Sequence, residues 1–171
     1  EDNTDYKAKA VILATGTVPR RLGVPGEDTW AASGISWCAI CDGAQYCGKE
    51  VVVIGGGNVA VDVAMTAKRS GAEKVTMVCL ECREEMPAFD YEIEEALAEG
   101  IIIQPSWGPQ GIAGKDGKVT GLRTVECTRV FDEQKRFSPE FNTCNEGFVP
   151  ADAVILAIGQ AVDADAFDGY E

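Results

Sequence analysis

The sequence predicts an α/β fold in which helices cover a parallel sheet and an antiparallel β-meander is added to it. Three observations carry that expectation. Short, β-branched apolar runs at 49–54, 74–80 and 153–158 read as strands buried on both faces, which a parallel sheet requires. Between the first two stand three glycines and a stretch of helical periodicity, a crossover of the right length for a strand–helix–strand unit. From Gly108 the pattern changes to alternating segments around turn residues, the mark of antiparallel strands.

Composition sets the outer bounds. A chain of 171 residues, 46% of them hydrophobic, suits one ordinary domain with a buried core. The formal charge of -13 repels a polyanion, so nucleic acid is not an expected partner. No apolar run reaches the roughly 18 residues of a membrane span, and Glu1-Asp2-Asn3-Thr4-Asp5 is acidic where a signal peptide is basic. The chain therefore reads as soluble and cytoplasmic, with no membrane partner. It has no histidine, so chemistry falls to cysteine, carboxylate or a cofactor. Its 7 cysteines, at positions 38, 41, 47, 79, 82, 127 and 144, are odd in number and unevenly spaced. They suit reduced thiols better than a secreted disulfide framework.

Taken in order, the elements begin with an echo. Residues 10–16 (AVILATG) and 153–159 (AVILAIG) are apolar runs closed by glycine. Each reads as a strand buried on both faces, and together they suggest two crossings by which an inserted domain leaves and rejoins a larger one. Residues 18–26, rich in Pro and Gly, read as an extended linker, with the domain beginning near Arg20. After the strand at 49–54 and the glycines, residues 58–70 predict a helix with Val59, Val63 and Ala67 on one face, Ala60 and Ala64 beside it, and Gly71 as its stop. Pro87 precedes an amphipathic helix over 88–99 closed by Gly100, and 101–104 predicts a strand. Within 108–131, Gly114-Lys115-Asp116-Gly117 is the turn, whereas 132–147 reads as a polar, mobile connection.

Gly55, Gly57 and Ala60 fit the G-x-G-x-x-A pattern of a dinucleotide-binding, Rossmann-like turn. The first glycine permits the tight turn, the second lets a pyrophosphate approach the backbone, and the small alanine lets helix and strand pack closely. Gly56, Asn58 and Val59 complete the candidate cradle, where a helix N-terminus offers free N–H groups to phosphate. Ile158 and Gly159, which close the second echo, join the candidate cofactor-binding residues. The end of the second strand selects the coenzyme. Glu81 suits the ribose 2′-hydroxyl of NAD and repels the 2′-phosphate of NADP, while Arg83 favours NADP; the balance is set on NAD.

Cys38-Ala39-Ile40-Cys41 can close a small disulfide ring, and Asp42 beside it can carry a proton during exchange. A different class of reading is a zinc-stabilised interaction module, since Cys79-x-x-Cys82 is a second pair and four thiolates satisfy a structural zinc site. Against it, the strand–helix–strand unit between the pairs is longer than the usual knuckle spacing, and no metal ligands are assigned.

These residues together resemble the pyridine nucleotide-disulfide oxidoreductases. The run Arg21-Leu22-Gly23-Val24-Pro25-Gly26-Glu27, then Cys38-Ala39-Ile40-Cys41-Asp42-Gly43, then Val53-Ile54-Gly55-Gly56-Gly57-Asn58 is similar to the low-molecular-weight thioredoxin reductase branch. Residues 82–103, with Arg83-Glu84-Glu85-Met86-Pro87-Ala88, are similar to the small subunit of glutamate synthase.

The resemblance implies hydride passing from NAD(P)H to FAD and electrons onward to the dithiol, with Cys41 facing the flavin, Cys38 exchanging with the substrate disulfide and Asp42 as proton donor. In the second branch the cysteines are inert and electrons leave to a partner subunit. Both branches carry basic residues just after the second strand; Leu80 and Glu81 are not basic. The resemblance further implies an excised piece: 1–19 as a linker strand left from a missing FAD domain of the same chain, 20–152 as the NAD(P)-binding domain, and 153–171 as the return linker. Such a piece is expected neither to hold FAD nor to turn over alone. The expected partners are that FAD domain, a thioredoxin-like protein or electron-transfer subunit, and a second copy in a homo-oligomeric parent.

Overall fold

β-Branched runs between turn residues become strands throughout the structure, a computed structural model that describes residues 6–12, 14–31 and 33–162. Their contacts divide the chain into two units, Glu1–Arg20 with Gly159–Glu171, and Arg21–Ile158.

In the first unit, β1 (Thr17–Pro19) pairs antiparallel with β10 (Gln160–Val162), and the Arg20 N–H donates to the Gly159 carbonyl at 3.1 Å. The buried strand expected over 10–16 is not there. Residues 10–12 and 14–16 form no strand, Val11 and Ile12 are 75% and 92% exposed, and Leu13 lies outside the described residues. An apolar run is a strand only where another strand takes its hydrogen bonds, and none of the described residues does so here.

The second unit holds the parallel sheet, in the order β2 (Ile35–Ser36), β9 (Ala153–Leu156), β3 (Glu50–Ile54), β4 (Lys74–Val78), β5 (Ile102–Gln104). All four pairings are parallel. Successive residues serve opposite faces, as strand geometry demands. Val51, Val53, Val75, Met77 and Ile155 pack under the helices, while Val52, Ile54, Val78, Val154 and Leu156 meet Ile112, Val119, Leu122 and Val149 of the antiparallel sheet. The unit is thus a three-layer, Rossmann-like α/β domain with an antiparallel meander on one face, as the sequence predicts.

The expected domain limit at 152/153 falls instead between Ile158 and Gly159. β9 is not a return linker: all four of its residues are buried between β2 and β3, where their apolar side chains serve both cores. Residues 163–171 of that linker lie outside the described residues.

Two one-turn helices, α1 (Glu27–Trp30) and α2 (Ala39–Asp42), precede the main pair. Helix α3 (Asn58–Arg69) turns Ala60, Val61, Ala64, Met65 and Ala67 inward, so the buried stripe is displaced from the expected Val59 face and Val59 is 66% exposed. Small alanines let the helix sit close on the sheet, and a Schellman-type bond from the Ala72 N–H to the Ala67 carbonyl closes it at Gly71. Helix α4 (Asp90–Ala98) begins two residues later than expected. The Ala88 and Phe89 N–H groups are engaged elsewhere, with the Gly56 carbonyl at 3.2 Å and Asn58 Oδ1 at 2.9 Å.

The meander is β6 (Trp107–Lys115), β7 (Lys118–Phe131) and β8 (Phe137–Pro150). Asp116 and Gly117, both at positive φ, make the first hairpin turn as expected. The connection expected over 132–147 is mostly strand β8. It hides from a periodicity reading because nearly all its side chains are exposed, leaving no apolar alternation. Asp132 closes the second hairpin by accepting from the Gln134 and Arg136 N–H groups, both at 2.9 Å. Among the described residues no helix is long and apolar enough to cross a membrane.

Candidate functional site

The chain leaves β2 through Trp37 into α2, whose single turn brings positions 38 and 41 to the same side. Cys38 and Cys41 are joined as a disulfide, with their Cα atoms 5.3 Å apart. The Cys41 N–H points at Cys38 Sγ from 3.2 Å. Cys41 is exposed, Cys38 is half-buried, and Ile40 between them is 84% exposed. Asp42 accepts from the Ser36 hydroxyl at 2.7 Å and from the Gln45 amide at 3.3 Å. Tyr46 is buried under this turn. Burial raises its phenol pKa, the nearby Ser36 hydroxyl opposes the rise, and the Asp42 charge adds to it.

At the glycine turn, Gly55 (φ 144) leaves β3 with no room for a side chain: a Cβ there would stand 2.5 Å from the Ala157 carbonyl oxygen and 3.0 Å from Ala60 Cβ. Ala60 is fully buried, as close helix–strand packing requires. A Cβ on Gly56 would meet Glu81 Oε2 at 2.8 Å, so the Glu81 carboxylate lies over the turn. Gly57 is different. Its nearest neighbour for a Cβ is Pro87 Cγ at 3.9 Å, so that face is open. Gly57 caps α3 without any side-chain hydrogen bond, leaving helix N–H groups for an anion.

Of the remaining sequence-selected residues, Asn58 orients the approach to α4 through the Phe89 N–H, and Val59 is exposed on the first turn of α3. Arg83 is drawn away to Asp90 on α4, with Nη1 3.2 Å from Oδ1. Ile158 packs on the antiparallel side of the second unit, and Gly159 belongs to the first unit. The two cysteine pairs do not assemble. Cys79 is buried, Cys82 half-buried, and no group of three or more metal-ligating side chains stands together among the described residues.

The dithiol turn and the glycine turn occupy opposite ends of α3. A Cβ on Gly43, next to Asp42, would stand 3.0 Å from Ser70 Oγ at the C-terminal end, whereas Gly57 caps the N-terminal end. Twelve residues of helix place about 18 Å between them. Ser36 and Tyr46 escape a sequence reading. The only sequence signal for them is a hydroxyl two residues before Cys38 and a phenol four residues after Asp42, neither of which is a motif.

Comparison with known proteins shows the family. The family described as "Pyridine nucleotide-disulphide oxidoreductase" matches residues 1–170. The chain is 36% identical, over 96% of its length, to the NADP(+)-dependent formate dehydrogenase subunit beta of Moorella thermoacetica, of which it covers 24%. It is 32% identical, over 95% of its length, to the thioredoxin reductase of Listeria monocytogenes, of which it covers 46%. Among solved structures, thioredoxin reductase of T. acidophilum superimposes with a TM-score of 0.76 at 28% identity, covering 95% of this chain and 48% of that one. The chain thus spans less than half the length of each of these relatives.

Proposed function

The chain belongs to the pyridine nucleotide-disulphide oxidoreductase family, and we propose that it is the part of a longer flavoprotein that binds NAD(P)H and carries the exchanging dithiol. The observation that carries this reading is one helix with an open glycine turn at its start and a disulfide with an adjacent carboxyl at its end. The net reaction is NAD(P)H + H⁺ + disulfide → NAD(P)⁺ + dithiol.

In this reading the α3 N-terminus and the bare face of Gly57 take the pyrophosphate, and Glu81 accepts from the adenosine ribose hydroxyls. Cys41 faces the flavin, Cys38 exchanges with the substrate disulfide, and Asp42 supplies the proton. FAD, which the family uses, would act as the two-electron carrier between the two ends of α3. Among the described residues a second strand–glycine-turn–helix unit to hold it is not formed, so the reading places FAD on another domain, with Cys41 of this chain turned toward it. NAD is the proposed coenzyme, because Glu81 covers the turn while Arg83 is engaged by Asp90.

Calorimetric titration of the purified chain with NADH and with NADPH tests the reading. NADH is expected to bind at least about tenfold more tightly, the worth of a charge-assisted hydrogen bond. Tighter NADPH binding would move the coenzyme assignment to Arg83, and no binding of either at millimolar concentration by folded chain would refute the nucleotide site.

A second reading is supported by the Moorella relative, which is named as a formate dehydrogenase subunit. Here the same nucleotide site delivers electrons to a partner subunit and the dithiol is idle. Cys38→Ser in the full-length flavoprotein separates the two: disulfide reductase activity vanishes under the first reading, and electron delivery to the partner persists under the second.

A further inference from the structure

A buried hydroxyl joins Asp42 to the dithiol turn. Ser36 is 6% exposed, and its Oγ lies 2.7 Å from Asp42 Oδ2, 3.0 Å from the Cys38 nitrogen and 3.3 Å from the Cys38 carbonyl oxygen. A serine hydroxyl offers one proton and two lone pairs. With Asp42 ionised, the hydroxyl donates to Oδ2 and accepts the Cys38 N–H. With Asp42 protonated, the carboxyl donates to Oγ, the hydroxyl turns its proton to the Cys38 carbonyl, and the N–H bond is kept. Both states are satisfied without moving a heavy atom, which is what a carboxyl that cycles its proton in a half-buried place needs.

The surroundings fit this use. Besides Ser36 on β2, the groups facing Asp42 are the Gln45 amide and the Tyr46 phenol from the turn that follows α2, and Ser70 of α3 stands behind Gly43. Asp42 makes no ion pair among the described residues. The Tyr46 hydroxyl is buried, 2% of the residue being exposed, and has no hydrogen-bond partner among the described residues.

We propose that Ser36 is a positioning residue for thiol–disulfide exchange at Cys38–Cys41, holding the Asp42 carboxyl against the dithiol turn in both its ionised and its protonated state. The inference rests on the reading that this disulfide is exchanged. With a small dithiol as reductant, one thiolate attacks the exposed Cys41 sulfur. The S–S bond breaks, a mixed disulfide forms at Cys41, and Cys38 leaves with the bonding electron pair and takes the proton of Asp42. The reductant's second thiolate then closes on its own sulfur, releasing the Cys41 thiolate to be protonated by solvent. The reductant ends as a cyclic disulfide, and the chain has gained two electrons and two protons. Asp42 recovers its proton from solvent while Ser36 keeps it in place.

The test is the rate of reduction of Cys38–Cys41 by dithiothreitol in the purified 171-residue chain, read by quenched alkylation and the mass of the peptide that carries both cysteines. It is compared among wild type, Ser36→Ala, Ser36→Thr, Asp42→Asn and the Ser36→Ala/Asp42→Asn double variant. At near-neutral pH, where bulk acid is scarce and a positioned acid matters, Ser36→Ala is expected to slow the step by about tenfold. Ser36→Thr restores it, and adding Ser36→Ala to Asp42→Asn changes nothing further.

Equal slowing in both backgrounds marks a merely structural serine and overturns the proposal, as does a wild-type rate in Ser36→Ala while Asp42→Asn is slow. A disulfide that resists reduction refutes the exchange reading itself, and one that opens equally fast in Asp42→Asn removes the role given to Asp42 and overturns the proposal. Should Ser36→Ala not fold, Ser36→Gly removes the same hydroxyl and is judged by the same outcomes.

Discussion

Gly55 and Gly57 stand two residues apart in one turn, yet alanine at each should fail in opposite ways. At Gly55 a Cβ meets the Ala157 carbonyl oxygen at 2.5 Å, a backbone atom of the neighbouring chain segment that cannot rotate aside, and φ is 144°. Holding alanine in that backbone region costs about 1–3 kcal/mol, and forcing the packed segments apart costs about 1–3 more. A total near 4 kcal/mol lowers the melting temperature by about 10 °C for a chain of this size. At Gly57 the nearest atom is 3.9 Å away and φ is −92° with ψ 175°, which alanine adopts freely. The folded state of Gly57→Ala should therefore melt within about 2 °C of wild type. In the proposed nucleotide site, however, its new methyl would stand where the pyrophosphate approaches, and nucleotide affinity should fall at least about tenfold. Circular-dichroism melts and calorimetric titration of both variants decide the matter. A Gly55→Ala chain as stable as wild type would refute the steric argument, and a Gly57→Ala chain that is folded and binds nucleotide as wild type does would remove the turn from the binding site.

Three further outcomes follow from two buried ionisable groups. The Glu27 carboxylate, 2% exposed, accepts from the Gly23 N–H at 2.8 Å and the Leu22 N–H at 3.2 Å, with Arg21 Nε 3.6 Å away; Glu27→Ala strands both donors and should cost about 2–3 kcal/mol, read as a thermal shift of about 5–10 °C. Burial pushes the Cys79 thiol up to about 12, with the charges of Glu81, Cys82 and Cys127 adding to it. At mildly alkaline pH a thiol reagent should therefore label the exposed Cys47 and Cys144 quickly and Cys79 only on unfolding, as peptide mass spectrometry would show. A raised folded pKa stabilises fully below the unfolded value near 9 and is lost as pH climbs toward 12, so chemical denaturation across that window should weaken more steeply in wild type than in Cys79→Ala.

Local chemistry was enough to announce the strand–glycine–helix unit. Three glycines after a β-branched run, small residues along the next helix and Gly71 at its close all act within a few residues of one another, and the structure forms β3, α3 and β4 there with ends shifted by one or two residues. The Cys38-x-x-Cys41 spacing likewise fixes a ring that one helical turn can close. Beyond such short reach the sequence is silent or misleading. The runs at 10–16 and 153–159 are nearly the same, yet the second becomes a buried central strand and the described part of the first is exposed, because only the second finds strands on both sides. Strand β8 carries no apolar alternation, so only its pairing with β7 makes it a strand. The sequence leaned to Glu81 over Arg83 only by their place after the second strand, and the proposed choice of Glu81 gains support from the carboxylate lying over Gly56 and from the pairing of Arg83 with Asp90. The bond from Ser36 to Asp42 exists because β2 and α2 fold back on each other, a contact that no periodicity encodes. Sequence thus determined the elements whose causes are local, whereas long-range pairing, which depends on which surfaces meet, decided the sheet order and the side chains gathered at each end of α3.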